Sequence, residues 1–256
     1  MIHASAIVSA SAAIADDVEI GAYAIVGDDV EIATGTRIDS HVVIAGPTRI
    51  GRDNHIYPFA SIGGDPQDKK YAYERTRLEI GDRNTIREYC SISRGTIQDE
   101  GVTRMGDDNW IMAYVHIAHD CQIGSNTIFA NNATLAGHVH VGDWVIMGGF
   151  SGVHQFCHLG AHSFLGMYSG CNRDVPAYTL VSGQPAVPRG INSEGLKRRE
   201  FTTEQIRNIK NAYRIVYRKG LKLADAIIEI EKLVSNQPEL ELLLLSLASS
   251  DRGIVR

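Results

Sequence analysis

An aliphatic residue returns at every sixth position from the start of the chain. Ile2, Val8, Ile14, Ile20, Val26, Ile32, Ile38, Ile44, Ile50, Ile56 and Ile62 keep one register without a break. A polar stretch of twelve residues, Asp68 to Glu79, interrupts the run, and the phase resumes at Ile80, Ile86 and Ile92. A second interruption, residues 98–104, moves the register by one before the period restarts at Met105 and runs through Ile111, Ile117, Ile123, Phe129, Leu135, Val141, Met147, Val153, Leu159 and Leu165 to Cys171. Six is neither the period of a helix nor that of an extended strand, so each unit reads as a very short strand followed by a turn. Such a coil satisfies its backbone groups only by stacking on itself. Three units per turn predict a triangular prism in which residue n lies beneath residue n+18, about one strand spacing of 4.8 Å away. Each hexad then sends its large first residue and its small fifth residue inward.

That phase disposes of the cysteines. Cys90, Cys121 and Cys157 fall at fifth positions and Cys171 at a first position, so they read as core filler and not as disulfides or metal ligands. The same phase turns His119, third in its hexad, and His138, fourth in its own, outward. Seven of the ten histidines lie between Trp110 and His162, where outward imidazoles on a rigid coil suit solvent decoration, a metal site or a catalytic base. His119 stands apart because Asp120 follows it directly. A carboxylate beside an imidazole orients the ring and stabilises its protonated form, and an imidazole is suited to taking a hydroxyl proton near neutral pH. Cys121, two residues on, points inward, so direct attack by a substrate hydroxyl fits better than a covalent acyl-enzyme.

With 256 residues the chain holds one large domain and a small one. Its net charge of −5 gives no support to nucleic-acid binding. The opening residues have no basic leader and no apolar run is long enough to span a bilayer, so no integral membrane segment and a cytoplasmic location are expected. Charge is uneven: residues 1–191 carry 13 basic and 21 acidic side chains, residues 192–256 carry 12 and 9. The hexad pattern fails after Pro176, and the Gly- and Pro-punctuated stretch that follows reads as a connector. Helical signals succeed it. Thr202 and Gln205 fit a capping box before a helix ending near Gly220, then come LADAIIEIEKLV and ELELLLLSLA. Lys210, Arg214, Arg218, Lys219 and Lys222 give this part a basic surface.

The repeat resembles that of the hexapeptide-repeat acyltransferases, which implies a mainly β fold. It would be a left-handed parallel β-helix over residues 1–191, with loop inserts near 68–79 and 98–104, and a small C-terminal α-helical domain over 192–256. The motifs IAHDC, NNATLAGHV, VHQFC, QDKKY and NSEGLKRREF are similar to those of the bacterial UDP-N-acetylglucosamine O-acyltransferases, along essentially the whole chain. That resemblance implies transfer of a 3-hydroxyacyl chain from acyl carrier protein to the 3-hydroxyl of UDP-N-acetylglucosamine in lipid A synthesis, without a metal or other cofactor. It makes His119 the general base, Asp120 its orienting partner and Gly137 the backbone donor to the oxyanion. Sugar and acyl contacts fall to His116, His138, His154 and Gln155. Asp68 and Lys70 would come from a neighbouring subunit of a homotrimer, Asn192 and Glu194 would read the uracil, and Arg198 and Arg199 would face phosphate. An acidic carrier protein would meet the basic tail.

Two departures stand out. Met167 occupies the position where members that prefer long acyl chains have glycine, so a shorter groove and 3-hydroxydecanoyl transfer are expected. QDKK replaces the common QDLK, which puts Lys69 beside Lys70. The competing readings are the sister N-acyltransferase of the same pathway, a hexapeptide-repeat zinc carbonic anhydrase, and a scaffold without catalysis.

Overall fold

The computed structural model describes residues 1–256, and the first three-quarters of the chain is a left-handed parallel β-helix of hexapeptide repeats. Its three faces are sheets of nine, eight and ten strands, parallel throughout except for the last strand of the third. We name them first, second and third in the order the chain visits them, from Ile7–Val8, Ala13–Ile14 and Glu19–Ile20. Ile7 pairs with Ile25 and Trp110 with Ile128, eighteen residues apart as the period requires. Ile50 pairs with Ile80, thirty apart, and Ile80 with Met105, twenty-five apart, so the inserts add twelve and seven residues to their coils.

Both inserts stop short of their expected C-terminal ends. Arg77–Ile80 and Val102–Met105 are strands paired with each other over four residues, and Leu78–Ile80 pairs in turn with Thr48–Ile50 on the coil below. The looped-out parts are therefore 65–76 and 94–101. Each insert leaves from the corner between the first and second faces, which we call the insert edge.

First and fifth residues of the hexads fill the interior. A cluster of 40 buried residues runs the length of the prism, and all four cysteines are buried free thiols within it. The fourth residue of most hexads has a positive φ, between 55° and 66° where it is not glycine, including Asp120 at 60° and His138 at 62°. This left-handed turn is costly for residues other than glycine. Its repetition at each corner is what bends the strand direction onto the next face. Outward residues differ by face. The second face carries Glu31, Arg49, Glu79, Arg104, Gln122, His140 and His158. The first carries Ile7, Ile25, Val43, Thr134, Gly152 and Gly170, and the upper third face Trp110, Ile128, Ile146 and Phe164. Where the third face meets the first, Tyr23, His41, Phe59, Tyr89 and Tyr114 form a column with ring centroids 4.9 to 5.2 Å apart. We call this the aromatic edge.

The stretch expected to be a connector is a hairpin. Thr179–Ser182 continues the third face beside Phe164–Leu165, and Val187–Ile191 returns antiparallel to it. It closes the end of the prism and offers Tyr178 to a second buried cluster, of 13 residues, built mostly from the helices. These are α1 (Ser193–Arg198), α2 (Thr203–Arg218), α3 (Leu223–Val234) and α4 (Glu241–Ala248). Thr202 and Gln205 form the predicted capping box, and Gly220 at φ 70° follows the end of α2. α1 has no sequence signal of its own: six residues carry too little apolar period, and the Asn192 cap starts it. The tail returns to the prism, with Asp174 bridging Ile254 and Val255 in the main core. No helix is long and apolar enough to cross a membrane.

Candidate active site

His119 and Asp120 turn the insert edge between strands His116–Ile117 and Gln122–Ile123. Directly below them on the same edge are both inserts, and directly above are Gly137 with His138, then Gln155 with Phe156. The stacking gathers these residues around a cavity of about 610 Å³ lined by Asp68, Lys70, Asp99, His119, His138 and Gln155 among others.

Asp120 is buried, with every carboxylate oxygen occupied. Oδ1 accepts from the Thr96 N–H (2.8 Å) and Oδ2 from the Thr96 hydroxyl (2.6 Å) and His119 Nδ1 (2.9 Å), while its own N–H donates to Thr103 Oγ1 (2.8 Å). Burial alone would raise its pKa. The bonds from His119 and from the Thr96 hydroxyl and N–H outweigh that, so the carboxyl lies below its ordinary range. With an ionised partner on Nδ1, that nitrogen is the donor and Nε2 of His119 is left as an acceptor. The ring lies against Gly137, where an added Cβ would sit 2.5 Å from Cε1 and 2.8 Å from Nε2. The Gly137 carbonyl accepts from Phe156 N–H, and its own N–H has no acceptor within the chain.

His138 is the second imidazole. Its ring meets that of His119 edge-on at 5.1 Å and stacks on Phe156 at 4.4 Å, and its Nδ1 lies 2.8 Å from Asp99 Oδ2. One ligand-type atom from each of His119, Asp120 and His138 can lie within 4.8 Å of the others, close enough for a metal ion. Cys121 is fully buried, donates to the Ala136 carbonyl at 3.2 Å, and has its thiol pushed up to about 12 by burial, which removes it as a nucleophile.

The remaining predicted residues divide by place. His116 is an outward residue of the first face, bonded to Ser91 Oγ at 2.7 Å; burial, and then the nearby His119, lower its pKa. His154 is exposed beside Gln155, outside the cavity lining. Asp68 and Lys70 line this cavity together with His119 of their own chain, whereas the resemblance has them come from a neighbouring subunit. Arg94 holds that insert: its guanidinium donates to the Gly63 carbonyl (2.6 Å) and the Tyr71 hydroxyl (3.0 Å) and pairs with Asp65.

Asn192, Glu194, Arg198 and Arg199 lie elsewhere, at the corner between the second and third faces. Asn192 is only 5% exposed, accepts from Gly195 N–H at 3.1 Å and donates to the His162 carbonyl at 3.0 Å. Its amide caps α1 with one carbonyl lone pair and ties it to the prism with one N–H, leaving one of each unbonded within the chain; the helix start needs an acceptor for its orphan N–H. Glu194 is exposed and paired with Lys197 at 2.8 Å, and Arg198 is exposed. Arg199 donates to the Trp144 carbonyl (2.9 Å) and to His162 Nδ1 (3.1 Å), with its guanidinium 5.0 Å over the Trp144 ring. Met167 sits at the aromatic edge, 64% exposed.

His162 had no sequence signal beyond its hexad position. Burial and then the Arg199 charge lower its pKa to about 4. The unfolded chain would take that proton near 6.5, so between these values the unfolded state binds more protons and stability falls as pH drops. We expect a loss of at most about 3 kcal/mol between pH 6.5 and 4 from this group. Denaturant unfolding across that range should show a shallower loss for His162→Gln, which keeps an acceptor for Arg199 and cannot titrate.

Residues 174–255 match the family described as UDP N-acetylglucosamine O-acyltransferase, domain 2, and residues 103–137 the bacterial transferase hexapeptide of six repeats. The acyl-[acyl-carrier-protein]–UDP-N-acetylglucosamine O-acyltransferase of Thiobacillus denitrificans is 59% identical over 100% of this chain and 99% of its own length. The same enzyme of Herminiimonas arsenicoxydans is 57% identical, again over 100% and 99%. Among solved structures, LpxA of Acinetobacter baumannii superposes with a TM-score of 0.98 at 49% identity, covering 100% of this chain and 99% of that one.

Proposed function

Because the chain belongs to the UDP-N-acetylglucosamine O-acyltransferases and is an acyl-carrier-protein-dependent enzyme of that family, we propose that His119 is the general base of a direct acyl transfer. The 3-hydroxyl of the sugar gives its proton to His119 Nε2 as its oxygen attacks the thioester carbonyl. The Gly137 N–H receives the oxyanion. Collapse forms the ester and expels the carrier's thiolate, which takes the proton back from His119. One observation carries this reading: His119 Nδ1 is 2.9 Å from a buried, fully bonded Asp120 while Nε2 is left free at a cavity. Asp68, Lys70, His138 and Gln155 share that cavity and are assigned to substrate, with His116 and His154 beside it on the first face.

Asn192 and Glu194 are assigned to the uracil and Arg198 and Arg199 to the phosphates, paired guanidinium groups suiting phosphate. They stand on a different edge of the prism from His119, so a complete site needs a second copy. The uneven faces support a homotrimer that brings them together. Apolar residues on the first face and upper third face suit burial against neighbouring copies, with the aromatic edges toward the axis and the charged second face outward.

Met167 is assigned to the end of the acyl groove. Between His119 and Met167 the outward residues of the first face are Thr134, Gly152 and Gly170, and a Cβ on Gly152 would meet nothing within 4 Å, which supports a trough along this face. The thioether shortens it, and 3-hydroxydecanoyl is the preferred chain. The basic face of α2, Lys210, Arg214 and Arg218, with a recess of about 280 Å³ walled by Val187, Pro188, Tyr213, Val216 and Leu221 and bordered by Arg218 and Arg256, suits an acidic carrier.

Incubation with UDP-N-acetylglucosamine and 3-hydroxyacyl carrier proteins of graded length, with and without a chelator, tests the reading by product identification. The 3-O-acyl sugar nucleotide should form at the same rate in both, fastest from the ten-carbon donor, and Met167→Gly should move the optimum to longer chains. Turnover lost to the chelator would favour a metal enzyme, and an unchanged optimum would remove Met167 from its role.

A further inference from the structure

The second insert does more than shift the register. It adds seven residues to one coil, at the insert edge, one coil beneath His119. Two of its side chains reach upward by different routes. Thr96 bonds Asp120 and so fixes the first imidazole–carboxylate pair. Asp99 reaches past it to a residue 39 positions away, placing Oδ2 2.8 Å from His138 Nδ1.

We propose that Asp99 is a positioning residue for acyl transfer, acting through His138 by holding its ring with Nδ1 outward and Nε2 toward the reacting groups. This rests on the reading of His119 as the base. His138 needs such an anchor because its neighbours fix the plane of the ring but not which edge faces in. Phe156 stacks on it at an interplanar angle of 13°, and His119 abuts its edge at 88°. Turning the imidazole over about Cβ–Cγ keeps its plane and both ring contacts but swaps Nδ1 with Cδ2 and Nε2 with Cε1. Asp99 supplies the preference, because an acceptor on Nδ1 makes that nitrogen the donor. The other nitrogen, Nε2, then lies 3.8 Å from Asp120 Oδ2. Two imidazoles, each with its own carboxylate, thus face one cavity, His119 with Asp120 and His138 with Asp99. Asp99 lines that cavity but bonds His138 and not His119, so it has no part in proton removal.

The Asp99 carboxylate is well exposed, its side chain retaining 40% of its accessible surface, against 11% for His138. Replacing it should not disturb the core. Asp99→Ala is expected to lower kcat about tenfold, by loosening the geometry of the site, with the melting temperature unchanged. A double-mutant cycle with His138→Ala separates the routes. If Asp99 works through His138, Asp99→Ala costs nothing further once His138 is gone; an equal tenfold loss in both backgrounds overturns the proposal. Nitrogen-15 spectra of the ring-labelled full-length protein read the anchor without any turnover. The wild-type His138 signal should show a protonated Nδ1 and the Asp99→Ala signal should lose it. Identical His138 spectra in the two proteins overturn the anchor even if His119 is the base, whereas a spectral change with no effect of His119→Ala on turnover would count against the base alone.

Discussion

His119→Ala should lower kcat for acyl transfer by about 10²- to 10⁴-fold, the usual worth of a general base, with little change in KM for the nucleotide sugar. The ring is held for proton removal and not as a main binding contact. Nδ1 is committed to Asp120, and Asp120 is held in turn by Thr96 twice and by the Thr103 hydroxyl. A carboxylate so fixed cannot follow the ring if it moves, so the imidazole has one orientation. Cys121→Ser should retain turnover, since that thiol faces the core and is pushed up to about 12. Steady-state kinetics on both variants decide the matter, because the reverse pattern would establish a covalent route through Cys121.

Gly137→Ala should be nearly as damaging, costing about 10²-fold in kcat. The variant keeps the backbone N–H offered to the oxyanion. What it adds is a methyl group 2.5 Å from His119 Cε1, closer than carbon atoms approach without displacement. Either the ring leaves Asp120 or the corner carrying Gly137 shifts, and both spoil the alignment of base and N–H. A melting temperature close to wild type together with a large kcat loss is the expected pair of results. Full activity would show that His119 tolerates displacement and that its contact with Gly137 has no part in catalysis.

Much of the site was legible because hexad phase assigns each residue an orientation. The inward thiols and the outward His119 follow from counting positions. The common edge of both inserts, His119 and His138 was also in reach of that counting, since every third hexad turns the same corner. The partners Thr96, Asp99 and Thr103 were not. Thr96 and Asp99 lie in or beside a loop without a period, where phase says nothing about reach, and Thr103 falls in a strand that the sequence pattern assigns to the insert. The cap that Asn192 gives α1 was hidden for a related reason: a polar residue in a motif reads as a contact, and the helix start it caps shows only in the fold. The hairpin at Thr179–Ile191 was hidden because its register follows from the coil end it closes and not from a repeat.

By itself the sequence determined the coil, its core and the outward pairing of His119 with Asp120, because a six-residue period is a local rule and stacking repeats it. Only the tertiary structure decided that Asp99 meets His138, that Asn192 caps a helix, and that the arginines of the α1 segment stand on a different edge from the histidine. Those outcomes depend on where aperiodic segments land after folding, and contacts between residues tens of positions apart are set by the closure of the whole prism.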